Sequence, residues 1–132
     1  MSLPILRTGV DLVEIARLET LQPAIRARFL QRVFTSQELA IAGEVWASLA
    51  GRFAAKEAVA KALGCGIGPV GWKEIEILRG AAGEPLLVLH GQARQMADRQ
   101  GLAAWSVSIS HSRSHAVAMV VALGESIPPG TA

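Results

Sequence analysis

Asp11 and Glu57 are acidic residues whose surroundings in the sequence do not by themselves account for a charge. Asp11 lies among Val10, Leu12 and Val13 in a strand-like run, where a carboxylate needs something outside the strand to compensate it. Glu57 falls at helical spacing beside Trp46, Ala50 and Phe53, a sector expected to be buried. Lys61, one turn on, offers an intrahelical pair worth only about 0.2–0.5 kcal/mol. That is too little for a desolvated carboxylate, whose burial costs several kcal/mol. One or two carboxylates, completed by waters and phosphate oxygens, are the ligands Mg²⁺ prefers. Separate structural roles for the two acids are the alternative that spacing leaves open.

Arg52, Lys56, Glu57 and Lys61 are the only charges between residues 46 and 63. The opposite sector, Ala47, Gly51, Ala54, Ala55, Ala58 and Ala62, is made of small side chains, so both faces of this helix are expected to be covered. Each charge then needs a partner, and a phosphate-rich ligand would supply one. Gly64, Gly66, Gly68 and Gly71 follow. They come after a helix rather than between a strand and a helix, which excludes a dinucleotide fingerprint, and no Ser or Thr follows Lys73, which excludes a Walker loop. Ser108, Ser110, His111 and Ser112 place hydroxyls and an imidazole at a strand end, with no G-x-S-x-G elbow to make a hydrolase. His90 and His115 are read as structural.

The elements that must position these groups follow from periodicity. Residues 5–13 read as a strand, 14–33 as two short helices with Pro23 opening the second, and Thr35 to Glu38 as a capping box. Residues 46–63 form the longest helix, rich in alanine and closed by Gly64. Residues 74–77 and 86–90 form a hairpin about Ala81, Ala82 and Gly83; 92–100 form a short helix; 107–110 and 115–123 are two further strands. This order predicts an α+β fold, an antiparallel sheet packed against a long central helix. Residues 1–125 are read as one domain and 126–132 as a frayed tail.

The chain has 132 residues, 51% hydrophobic and 18% charged, which opposes disorder. No apolar stretch reaches the roughly 18 residues of a membrane span. Pro4, Arg7 and Asp11 interrupt what a signal peptide would require. With Cys65 as the only cysteine, a cytoplasmic setting is expected. Thirteen basic residues against eleven acidic give a net charge of +2, which does not demand nucleic acid. The placement says more: Arg17, Arg26, Arg28 and Arg32 cluster against Glu19 alone, either an ordinary solvated face or a surface for an acidic partner.

Four segments resemble one family. Gly9-Val-Asp11-Leu-Val-Glu-Ile-Ala-Arg17, Phe34-Thr-Ser-Gln-Glu38, Arg52-Phe-Ala-Ala-Lys-Glu57-Ala-Val-Ala-Lys61-Ala-Leu-Gly64 and Ser108-Ile-Ser-His111-Ser are similar, in order and spacing, to the holo-acyl-carrier-protein synthases, a family of 4′-phosphopantetheinyl transferases. The resemblance implies Mg²⁺-dependent transfer of 4′-phosphopantetheine from coenzyme A to a serine of an acyl carrier protein, releasing adenosine 3′,5′-bisphosphate, in fatty acid biosynthesis. It implies Asp11 and Glu57 as metal ligands and as catalytic residues together with Lys61. Lys61 would lie by the coenzyme A phosphates, Gly64 would contact coenzyme A, and Arg52 and His111 would lie by its 3′-phosphate region, with Ser110 and Ser112 as neighbours. The base for the serine proton stays open between Glu57 itself and a water held beside the two acids.

Acyl carrier proteins are acidic, which makes Arg17, Arg26, Arg28 and Arg32 docking candidates. The resemblance also implies a homotrimer. The chain departs from the family pattern in a shorter stretch between Glu38 and Arg52, and in Cys65 where threonine is more typical. Two other readings would use the same residues: a non-catalytic module that binds an acidic carrier protein, or a different metal-dependent phosphotransferase.

Overall fold

The computed structural model describes residues 3–126; except for Ser126, the tail expected over 126–132 lies outside the described residues. The element order is β1 (Pro4–Glu14), α1 (Ile15–Glu19), α2 (Pro23–Val33), α3 (Ser36–Ala42), α4 (Trp46–Ala62), a 3₁₀ turn (Trp72–Glu74), β2 (Ile75–Arg79), β3 (Pro85–Leu89), α5 (Gly91–Arg99), β4 (Leu102–His111) and β5 (His115–Glu125). The five strands of the described residues pair antiparallel, and the α+β architecture matches the sequence pattern. The sheet is divided in two, a three-stranded sheet in the order β1-β5-β4 and a separate β2-β3 hairpin. Ser126 continues the first sheet, its amide donating to the Leu3 carbonyl at 2.9 Å.

Local chemistry explains most boundaries. The Thr35 hydroxyl accepts from the Glu38 amide at 3.1 Å while the Glu38 carboxylate accepts from the Thr35 amide at 2.9 Å, so the expected capping box opens α3. Pro23 opens α2, and Gly64, at φ +79°, follows the end of α4. Strand β4 starts at Leu102, five residues earlier than periodicity predicts. Residues 103–106 include two alanines and a serine, weak strand formers that pair because β5 lies alongside, and the register slips between Leu102 and Ala104.

Helix α4 lies on the inner face of the three-stranded sheet, with Ala50, Ala54, Ala55, Ala58 and Val59 fully buried. Its approach depends on Gly9 of β1, where a Cβ would stand 1.8 Å from the Ala58 carbonyl oxygen. Only a residue without a side chain permits that contact. The outer face of the same sheet is different. Leu6, Val10 and Leu12 of β1 and Met119 and Leu123 of β5 lie 49–64% exposed, and the register places them on one side.

Candidate active site

Asp11, on the helix-facing side of β1, and Glu57, on α4, line one cleft of about 420 Å³ together with Arg17, Leu18, Phe29 and Phe53. The Gly9–Ala58 contact brings them together, because Asp11 is two residues from Gly9 on the same strand face and Glu57 adjoins Ala58. Lys61 reaches the same place from one turn further along α4. Its ammonium donates to Asp11 Oδ1 at 3.0 Å and to the Val10 carbonyl at 2.9 Å.

The expected local arrangement is corrected in two respects. Lys61 pairs with Asp11 across the fold and not with Glu57 within the helix. Glu57 is half-buried, and the fully buried charge on α4 is its neighbour Lys56. Helical phasing specifies which residues share a face but not which face neighbours cover, and here Phe53 and Glu57 border the cleft while Trp46 lies under Arg26. Glu57 makes no hydrogen bond among the described residues. Burial pushes its carboxyl up, the Asp11 charge pushes it further, and Lys61 only partly opposes them.

Two facing carboxylates, one without a protein partner, form an oxygen donor set that fits a hard divalent cation such as Mg²⁺. No group of three or more His, Cys, Asp or Glu suited to a metal occurs among the described residues. A site here would therefore be completed by water and ligand oxygens.

Arg52 and His111 meet in a second cleft of about 380 Å³, bordered also by Ser48, Arg79, Pro85 and Ile109. Arg52 is buried to 7% exposure and donates from Nε to the Ile77 carbonyl at 3.0 Å and from Nη1 to the Ser48 hydroxyl at 2.6 Å. Burial, then the Arg79 charge, hold its pKa below the usual guanidinium value, which marks a cleft that favours an anion. Arg79 escaped the sequence reading; its signal was a cation ending the alternating run after Ile75 and Ile77.

The other candidates do not gather here within one chain. Ser110 projects from the outer face of β4, opposite Val117. Ser112 is engaged in its own turn, accepting from the Ser114 and His115 amides at 3.3 and 3.2 Å. Gly64 is exposed, about 18 Å along the helix axis from Arg52 at 1.5 Å per residue.

Arg17, Arg28 and Arg32 are exposed. Arg26, read with them as one patch, turns inward instead. It donates from Nη2 to the Glu19 and Leu21 carbonyls at 3.0 and 2.9 Å and lies 5.5 Å from the Trp46 ring, tying the end of α1 to α2 and α4.

A family model described as the 4′-phosphopantetheinyl transferase superfamily matches residues 7–120. The chain belongs to that superfamily. It is therefore an enzyme of the transferase class, as the four segments implied. Among curated relatives, the holo-[acyl-carrier-protein] synthase of Herpetosiphon aurantiacus is 46% identical over 89% of this chain and 98% of that protein. The enzyme of the same name from Moorella thermoacetica is 48% identical over 92% and 94%. The crystal structure of Helicobacter pylori holo-[acyl-carrier-protein] synthase in complex with coenzyme A superposes with a TM-score of 0.79 at 34% identity, covering 87% of this chain and 98% of that one.

Proposed function

We propose that this transferase moves the 4′-phosphopantetheinyl group of coenzyme A onto a serine hydroxyl of an apo-acyl carrier protein. The serine oxygen forms a bond to the β-phosphorus as its proton passes to Glu57 or to a water held beside the two acids, the bond from that phosphorus to the bridging oxygen breaks, and the bridging oxygen leaves with adenosine 3′,5′-bisphosphate. The observation that carries this reading is the convergence of Asp11 and Glu57 on one cleft, with Glu57 held unpartnered against a like charge. Mg²⁺ held by Asp11 and Glu57 would neutralise charge on the diphosphate. Lys61 holds a compact positive charge at the same carboxylate, within reach of a phosphate oxygen. Arg52 and His111, with Arg79 beside them, suit the 3′-phosphate region. Alignment and charge dispersal are the main requirements of phosphoryl transfer, and these residues supply both.

Arg17, Arg28 and Arg32 form the carrier-docking face, and Arg26 supports it from beneath. The carrier is that of fatty acid biosynthesis, and the enzyme works in the cytoplasm. Residues 1–125 act as one domain, because one buried cluster joins α4, α5 and both sheets. The active assembly is a homotrimer: on the outer face of β1 and β5 Leu6, Val10, Leu12, Met119 and Leu123 stand 49–64% exposed, a group of apolar side chains that a neighbouring copy would cover, and Ser110 lies on the same side. Mass spectrometry of apo-carrier protein with coenzyme A, Mg²⁺ and this enzyme tests the reading. A pantetheinyl adduct on serine is expected. Carrier binding without an adduct would leave only a binding module, and nucleotide binding with an unchanged carrier mass would point to another phosphotransferase.

A further inference from the structure

Lys56 and Glu38 form an ion pair at 2.7 Å with both side chains 0% exposed. The ammonium also donates to the Trp72 carbonyl at 3.0 Å and the Ile75 carbonyl at 2.6 Å, so all of its N–H groups are used. Glu38 accepts in addition from the Thr35 amide at 2.9 Å and the Ile77 amide at 2.8 Å. One network therefore joins the start of α3, the middle of α4, the 3₁₀ turn and β2. Stability alone does not account for it, because a buried pair replaced by neutral side chains of similar volume is often as stable or more so.

The pair supplies direction. Toward the three-stranded sheet α4 presents Gly51 and Ala58 against Ile109 and Gly9. Small residues allow close approach but offer few ridges to fix rotation about the helix axis. On the other side, Lys56 and Arg52, one turn apart, donate to the Ile75 and Ile77 carbonyls of one strand. Two directional bonds to β2 set the angle of the helix. Glu57 follows Lys56 in the chain, so that angle decides where its carboxylate points. A rotation of about 10° moves a group about 6 Å from the axis by roughly 1 Å.

We propose that the Lys56–Glu38 pair is a positioning element of the reaction, fixing the rotation of α4 on β2 so that Glu57 meets Asp11 and Arg52 meets His111. This rests on the assignment of Asp11 and Glu57 to the reaction site. The test is the full-length double variant Lys56→Met, Glu38→Gln, in which glutamine keeps the capping box. Expected are a lowered thermal midpoint, since the Trp72 and Ile75 carbonyls and the Ile77 amide lose their partners, a kcat lowered about 100-fold beyond any loss of folded fraction, and a KM for the carrier within about twofold, since the docking arginines are untouched. The Mg²⁺ concentration that gives half the maximal gain in coenzyme A affinity by calorimetry should rise about tenfold.

A folded double variant with wild-type kcat and wild-type Mg²⁺ dependence overturns the proposal. If the double variant does not fold, Glu38→Gln alone, which leaves Lys56 its carbonyl acceptors, decides: a fall in kcat of about tenfold beyond any loss of folded fraction supports positioning, and a fall that only tracks folded fraction overturns it. Wild-type enzyme in the same assay keeps the two ideas apart. If wild type transfers no pantetheine, the functional reading fails; if wild type and variant transfer it equally, only the positioning role does.

Discussion

Gly9→Ala is the sharpest test of how the site is assembled. A Cβ at Gly9 would lie 1.8 Å from the Ala58 carbonyl oxygen, 2.8 Å from its carbonyl carbon and 3.2 Å from its Cα, all backbone atoms of α4. An ordinary carbon–oxygen contact is about 3.3 Å, so β1 and α4 must separate by about 1.5 Å at this point. No rotamer change relieves the clash, and overpacking of this kind costs about 3 kcal/mol or more, close to 10 °C in thermal midpoint. The same separation opens the gap between Asp11 and Glu57, and misplacement by about 1 Å costs on the order of 100-fold in rate. The assay is holo-carrier formation followed by mass across a Mg²⁺ titration, beside a thermal melt. Gly51→Ala is the control, because its Cβ would meet only Ile109 Cγ2 at 2.6 Å, the movable end of a side chain; its expected loss is about 1 kcal/mol. If Gly9→Ala turns over within about twofold of wild type and melts no lower than Gly51→Ala, close backbone approach does not build the site.

The remaining predictions concern charge and surface. Burial and Asp11 raise the Glu57 pKa above its ordinary 4.5, so the fold favours the protonated form; that contribution is fully present below 4.5 and is lost as pH rises through the raised value. Glu57→Gln should therefore melt higher than wild type at pH 7 without metal, converge with it in acid, and lose Mg²⁺-dependent transfer; equal melting at both pH values contradicts the raised pKa. Arg26→Ala should lower stability by about 1 kcal/mol through lost carbonyl bonds, whereas Arg28→Glu and Arg32→Glu should slow carrier association in a salt-dependent way and leave the melt unchanged. Matching behaviour of the three variants would mean that Arg26 docks as they do. Val10→Glu, on the outer face of β1, should dissociate the assembly in analytical ultracentrifugation, and an unchanged sedimentation coefficient would remove that face from the interface.

Much of this fold is written locally. The capping box at Thr35 and Glu38, Pro23 at the start of α2, and the alanine-rich α4 closed by Gly64 depend on contacts within a few residues, so the sequence determined them by itself. It also singled out Asp11 and Glu57, because a carboxylate in an apolar pattern is conspicuous wherever its partner lies. Tertiary structure decided the partners. Lys61 bonds Asp11 and not its helical neighbour Glu57, Lys56 and not Glu57 is the fully buried charge of α4, and Arg26 leaves the basic patch to hold α1. Periodicity states which side chains share a face; only the packing of distant segments states which face is covered and by what. The alternation of β4 is another case, since the strand pattern was visible but only the placement of the sheet against α4 decided that His111 faces Arg52 while Ser110 faces away.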